Sequence, residues 1–179
     1  EQQEQGQNLK SIGKNFLLAM IVVYMLLAIP FKSYFQPLVV MSSIPFGLTG
    51  AVLGHLIMGI NFSVLSMMGF VALTGVVVND SLVMVDFINR YRSEGNSIVD
   101  AVLEAGPRRF RPIFLTSLTT FVGLTPLLLE KSIQAKFMIP MAVSLSFGVI
   151  FATTITLFLV PVGYLVLEKY ILKTEKVKI

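Results

Sequence analysis

The chain has no cysteine, so it can form neither a disulfide framework nor a thiolate metal site. Charge is scarce as well. Only 13% of its 179 residues are Asp, Glu, Lys or Arg, and none falls between Ser33 and Asn79. With 55% hydrophobic residues and a mean hydropathy of +0.80, the composition lies outside ordinary globular usage. The apolar residues come in long uninterrupted runs, the pattern of a multi-spanning helical membrane protein rather than a soluble domain. The net charge of +4 sits in segments flanking those runs. It serves as a topology signal and does not suggest nucleic-acid binding. The chain opens at Glu1 with neither an initiator Met nor a basic start followed by a short apolar stretch, so we expect a piece of a longer polypeptide.

Five spans are expected, at about residues 15–31, 37–59, 63–89, 112–129 and 137–167. Pro30 and Lys32 close the first. Pro37 opens the second as a first-turn residue, and Pro45 predicts a kink inside it. Within that span Gly50 and Gly54 share one face and invite close helix packing. His55 follows, a lone histidine better read as a hydrogen-bonded packing residue than as a metal ligand. The one soluble stretch, Arg90 to Arg111, carries an amphipathic pattern with Asn96 or Ser97 as N-cap. It predicts a short surface helix over 97–105, stopped by Gly106 and Pro107. The fold class is therefore all-α: a polytopic membrane helix bundle of five transmembrane helices plus one short amphipathic surface helix.

Five spans put the ends on opposite sides. Lys32, Arg90, Arg92, Arg108, Arg109, Arg111, Lys169, Lys173, Lys176 and Lys178 fall on one side, and Lys10, Lys14, Lys131 and Lys136 on the other. The positive-inside rule then predicts a cytoplasmic C-terminus and an outward-facing N-terminal end.

Against this apolar background the segment Gly75-Val-Val-Val-Asn-Asp-Ser-Leu-Val-Met-Val-Asp86 stands out. A carboxylate near mid-bilayer costs at least ~2.5–3.5 kcal/mol, so ionisable residues there usually serve ion or substrate pathways. Asp80 can alternate between acid and carboxylate and could relay protons beside Asn79, Ser81, Thr116 and Thr120. It could also act only as interhelical glue. Asp86, nearer the span end, is expected at the interface. The two aspartates are ~9 Å apart along the axis and ~240° apart around it, which excludes an intramembrane aspartyl-protease dyad. No phosphate loop, metal-ligand cluster or nucleophile–base pattern appears, so no enzyme is expected. The nine methionines scatter as packing residues.

That motif, continued through Phe87-Ile-Asn-Arg90, resembles the resistance–nodulation–division (RND) efflux permeases of Gram-negative bacteria. So do the run from Ala101 to Thr120, Ala28-Ile-Pro-Phe-Lys-Ser-Tyr34 and Phe158-Leu-Val-Pro-Val-Gly-Tyr164. The resemblance implies that the chain is the C-terminal part of the transmembrane domain, helices eight to twelve of twelve. It further implies a proton-driven multidrug exporter of the acriflavin-resistance type in the inner membrane. Its coupling ion would be the proton, with no other cofactor. Its partners would be the remainder of the same permease chain, two further copies in a homotrimer, a periplasmic adaptor, an outer-membrane channel and the lipid bilayer. Position by position, Asn79 stands where the drug pumps have a relay lysine, and Asp80 where they have an asparagine. Thr116 matches a relay threonine, and Arg109 an arginine near the cytoplasmic proton path. The alternative is a passive membrane-embedded scaffold segment without proton coupling.

Overall fold

The computed structural model describes residues 2–170; the basic positions Lys173, Lys176 and Lys178, counted above, lie outside the described residues. Six helices follow one another: α1 (Gln2–Phe31), α2 (Gln36–Met41), α3 (Ile44–Met58), α4 (Val64–Ser93), α5 (Ile98–Leu129) and α6 (Ile133–Tyr170). They supply five stretches long and apolar enough to cross a membrane, with α2 and α3 together forming the second. In lipid a backbone has no water to satisfy it, so the long apolar runs close their hydrogen bonds internally as helices. The chain is a multi-pass, all-α bundle.

The second span is divided rather than gently kinked at Pro45. Pro45 has no N–H, and its ring would clash with the carbonyl four residues earlier, at Met41. The first segment accordingly ends at Met41, and a turn at Ser42 and Ser43 restarts the helix at Ile44. Ser42 donates its hydroxyl to the Val39 carbonyl at 2.6 Å. At the far end Gly59 takes a left-handed conformation (φ 64°) as C-cap, where a side chain would be strained.

A correction concerns residues 97–105. The amphipathic stretch is no separate surface helix; it forms the first turns of α5, which runs on through Pro107, Pro112 and Pro126. Each proline removes one backbone bond but leaves its neighbours helical, and a helix entering lipid gains nothing by stopping. Ser97 is the N-cap, accepting the Asp100 N–H at 3.1 Å. At 32 residues α5 is ~48 Å long against a ~30 Å hydrocarbon core, so its first turns stand outside the membrane.

Packing centres on α6, which touches α3, α4 and α5. Small residues set the closeness of approach. A Cβ on Gly50 would lie 2.5 Å from the Phe151 Cβ, and one on Gly54 the same distance from the Phe147 Cβ. Gly69 of α4 lies against the Met141 backbone of α6, and Gly148 of α6 against the Leu73 side chain of α4. These contacts, with Asn89 beside Tyr164 and Arg92 beside Glu168, show α4 and α6 running parallel, as the third and fifth spans must. In contrast, α1 is peripheral. It touches α2 and α4 and leaves Leu17, Leu18, Met25 and Leu26 exposed.

Candidate functional site in the bundle interior

Asp80 is buried, with only 5% of its surface exposed, near the middle of α4 on the side that also carries Leu73, Val77 and Met84. Its Oδ2 is buried without a hydrogen-bond partner. Ser81 beside it is fully buried, donates to the Val77 carbonyl at 2.8 Å and lies 3.1 Å from the Ser43 hydroxyl. It thereby ties α4 to the turn that divides the second span. The parallel pairing has a sequence offset of 75 at Asn89–Tyr164 and 76 at Arg92–Glu168. At that register Asp80 lies level with residues 152–156 of α6. Thr156 there is buried with an unpartnered hydroxyl, as are Ser144 and Ser146 further along the helix. Buried polar atoms without partners are uncommon. Among the described residues they fall mostly on α6, with Asp80 on α4 and Arg109 on α5.

The other candidates from the sequence do not join Asp80. Asn79 points out of the bundle and is exposed. Thr116 is exposed on α5, its hydroxyl donating to the Pro112 carbonyl at 2.9 Å. The Thr120 hydroxyl donates to the Thr116 carbonyl at 2.9 Å. The neighbouring Ser117 is the one that turns inward. It is buried and lies 2.5 Å from the Thr153 hydroxyl of α6, while donating to the Ile113 carbonyl. Arg109 holds its guanidinium 5.1 Å from the Phe87 ring centroid, with Nε buried and unpartnered. Phe87 is two turns from Asp80, ~10 Å along α4, so this cation sits at the end of the bundle. Asp86 makes a half-exposed i,i+4 ion pair with Arg90 at 3.0 Å.

Sequence reading missed a second polar cluster, at the end of the bundle that carries the arginines. Gln36 and Asn89 exchange amide hydrogen bonds at 3.2 and 2.9 Å. The Tyr164 hydroxyl donates to Asn89 Oδ1 at 2.6 Å. Arg92 donates to the Tyr164 oxygen at 3.3 Å and pairs with Glu168 at 2.7 Å. Three helices, α2, α4 and α6, are thus joined by polar side chains. A tyrosine inside the apolar run of the last span was the available signal. At the opposite end His55 donates from Nδ1 to the Ala51 carbonyl at 2.8 Å and meets the Ser66 hydroxyl at 2.7 Å. Both ring nitrogens are satisfied. Among the described residues no three His, Asp or Glu side chains gather as metal ligands.

The chain is thus a multi-helix membrane bundle with an ionisable residue buried near the middle of α4. Residues 1–168 match the AcrB/AcrD/AcrF family, and the chain belongs to it: it is an RND permease sequence. Two solved structures are similar, both crystal forms of a heavy metal efflux pump. One has a TM-score of 0.83 and 25% identity over 93% of this chain and 16% of the pump. The other has a TM-score of 0.71 and 28% identity over 83% of this chain and 14% of the pump. The chain therefore spans about a sixth of the length of the pumps it matches.

Proposed function

We propose that the chain is the C-terminal part of the membrane domain of a proton-driven efflux permease, and that Asp80 carries or senses the coupling proton. The observation that carries this reading is the burial of Asp80 at mid-span with one oxygen unpartnered, level with the unpartnered hydroxyl of Thr156. A carboxyl there changes the charge of the core when it gains or loses a proton, and few groups nearby can compensate. Asn79, Thr116 and Thr120 belong to a second, outward polar surface on α4 and α5. In this reading that surface receives a helix from the remainder of the permease, which completes the relay, and Arg109 guards the end of the path.

The family further supports an inner-membrane homotrimer working with a periplasmic adaptor and an outer-membrane channel. The charge distribution supports a cytoplasmic C-terminus. Heavy metal is the cargo of the two similar pumps. For this chain we infer hydrophobic or amphiphilic cargo, which is what the resemblance of its motifs to the drug pumps implies.

The test is efflux by the complete permease, normalised to inserted protein. Asp80→Asn removes the titration and keeps the size, so transport should fall to background with normal assembly. Thr116→Ala should act less strongly, and Asp86→Asn least. Full activity of Asp80→Asn would leave the residue as helix glue, the passive-scaffold alternative.

A further inference from the structure

The two sides of α5 differ in what they require of their surroundings. The side with Thr116, Thr119 and Thr120 carries hydroxyls that bond the helix's own carbonyls. The opposite side, facing α6, opens into a groove of about 490 Å³ lined chiefly by Phe110, Phe114, Leu118, Ile150, Leu157 and Phe158. The polar atoms at its base, Ser117 and Thr153, satisfy each other at 2.5 Å. The groove therefore presents no donor or acceptor that needs a protein partner.

A cation flanks it on α5. Arg111 lies one turn from Pro107 and one turn from Phe114, both lining the groove, so its side chain flanks the same side of the helix. It is exposed. Among the described residues it forms no ion pair, whereas Arg90, Arg92 and Arg108 each hold a carboxylate. The excess length of α5 beyond the hydrocarbon core puts Arg111 at the membrane–water boundary. An apolar slot running into the bilayer below an unpaired guanidinium has the complementarity of a phospholipid. The acyl chains fill the slot, and the phosphate takes the two parallel N–H donors of the arginine.

We propose that the α5–α6 groove is a binding site for an anionic phospholipid, its headgroup held by Arg111 at the level of Phe110 and Phe158 and its chains lying against Phe114, Leu118 and Ile150. The site is independent of the relay: its loss would leave the Asp80 reading standing, and the reverse also holds.

The chain has no tryptophan, which makes the groove readable. In the complete permease, with the emission of the unsubstituted protein subtracted, Phe114→Trp and separately Phe158→Trp report from the two walls. Each is reconstituted in vesicles of phosphatidylcholine mixed with brominated phosphatidylglycerol or, in parallel, brominated phosphatidylcholine. One interfacial arginine should enrich the anionic lipid about fivefold, so quenching should saturate at correspondingly lower brominated phosphatidylglycerol. Adding Arg111→Gln should abolish that preference while quenching itself persists. Equal quenching by both lipids would overturn the proposal in favour of ordinary bulk lipid. Absence of quenching at both walls would overturn it in favour of a protein helix seated in the groove. Preference unchanged by Arg111→Gln would remove the arginine and the proposal with it.

Discussion

Helices α4 and α5 are nearly equal in length, 30 and 32 residues, and nearly equal in hydropathy, 1.8 and 1.7. Yet 56% of the apolar stretch of α4 is buried and only 11% of that of α5. Hydropathy decides that a segment enters lipid; it does not decide how many neighbours the segment acquires within this part of the permease. Without a hydrophobic drive between helices in a bilayer, association depends on close backbone approach and interhelical hydrogen bonds. On α4, Gly69 meets the α6 backbone and Ser81 meets Ser43. The glycines of α5, by contrast, meet nothing: a Cβ on Gly106 or Gly123 would find no atom within 4 Å. Its hydroxyls mostly bond their own helix.

The largest expected effect tests the close-packed side of this contrast. Gly54→Leu, whose first added carbon already meets Phe147, should cost about 3 kcal/mol, the upper end of overpacking penalties. The loss would be read as the fraction of intact permease left monodisperse after heating. Gly123→Leu is the matching change on α5. It should be silent if lipid covers that position, and a comparable loss would show that a helix of the permease does.

Next in size is the polar cluster that holds α4 to α6. Arg92→Ala strands Glu168, whose second oxygen is already buried and unpartnered. With both side chains less than a third exposed, the cost should be about 1–2 kcal/mol. Tyr164→Phe should cost about 1 kcal/mol. Thermal unfolding that left Arg92→Ala as stable as the parent would show that apolar packing alone joins these helices.

A smaller pair sharpens the division within α5 itself. Ser117→Ala should lower stability by about 0.6 kcal/mol, the usual value of an interhelical hydrogen bond in lipid, and leave transport intact. Thr116→Ala should do the reverse. If Thr116→Ala destabilised the protein more than Ser117→Ala, the inward and outward sides of α5 would have to be exchanged. Smallest of all is Asp86→Asn, which removes an exposed i,i+4 pair and should change stability by about 0.3 kcal/mol, detectable as a thermal shift that disappears in high salt.

Residue order alone determined the number of spans and their helical nature, because a run of apolar residues in lipid has no other way to satisfy its backbone. It also placed a carboxyl within the third span, since depth follows directly from the rise per residue. Which residues meet was decided only in three dimensions. Threonine and serine at positions 116, 117, 119 and 120 distribute hydroxyls over an arc of ~160° of the α5 circumference. Each can bond its own backbone, so nothing local says that Ser117 rather than Thr116 faces α6. Pro107 looked like a terminator because its local chemistry is that of a breaker, and the entry into lipid overrode it. Asn79 and Asp80 are adjacent in the chain but ~100° apart around the helix. Packing of α6 on one side of α4 buried the acid and left the amide outside.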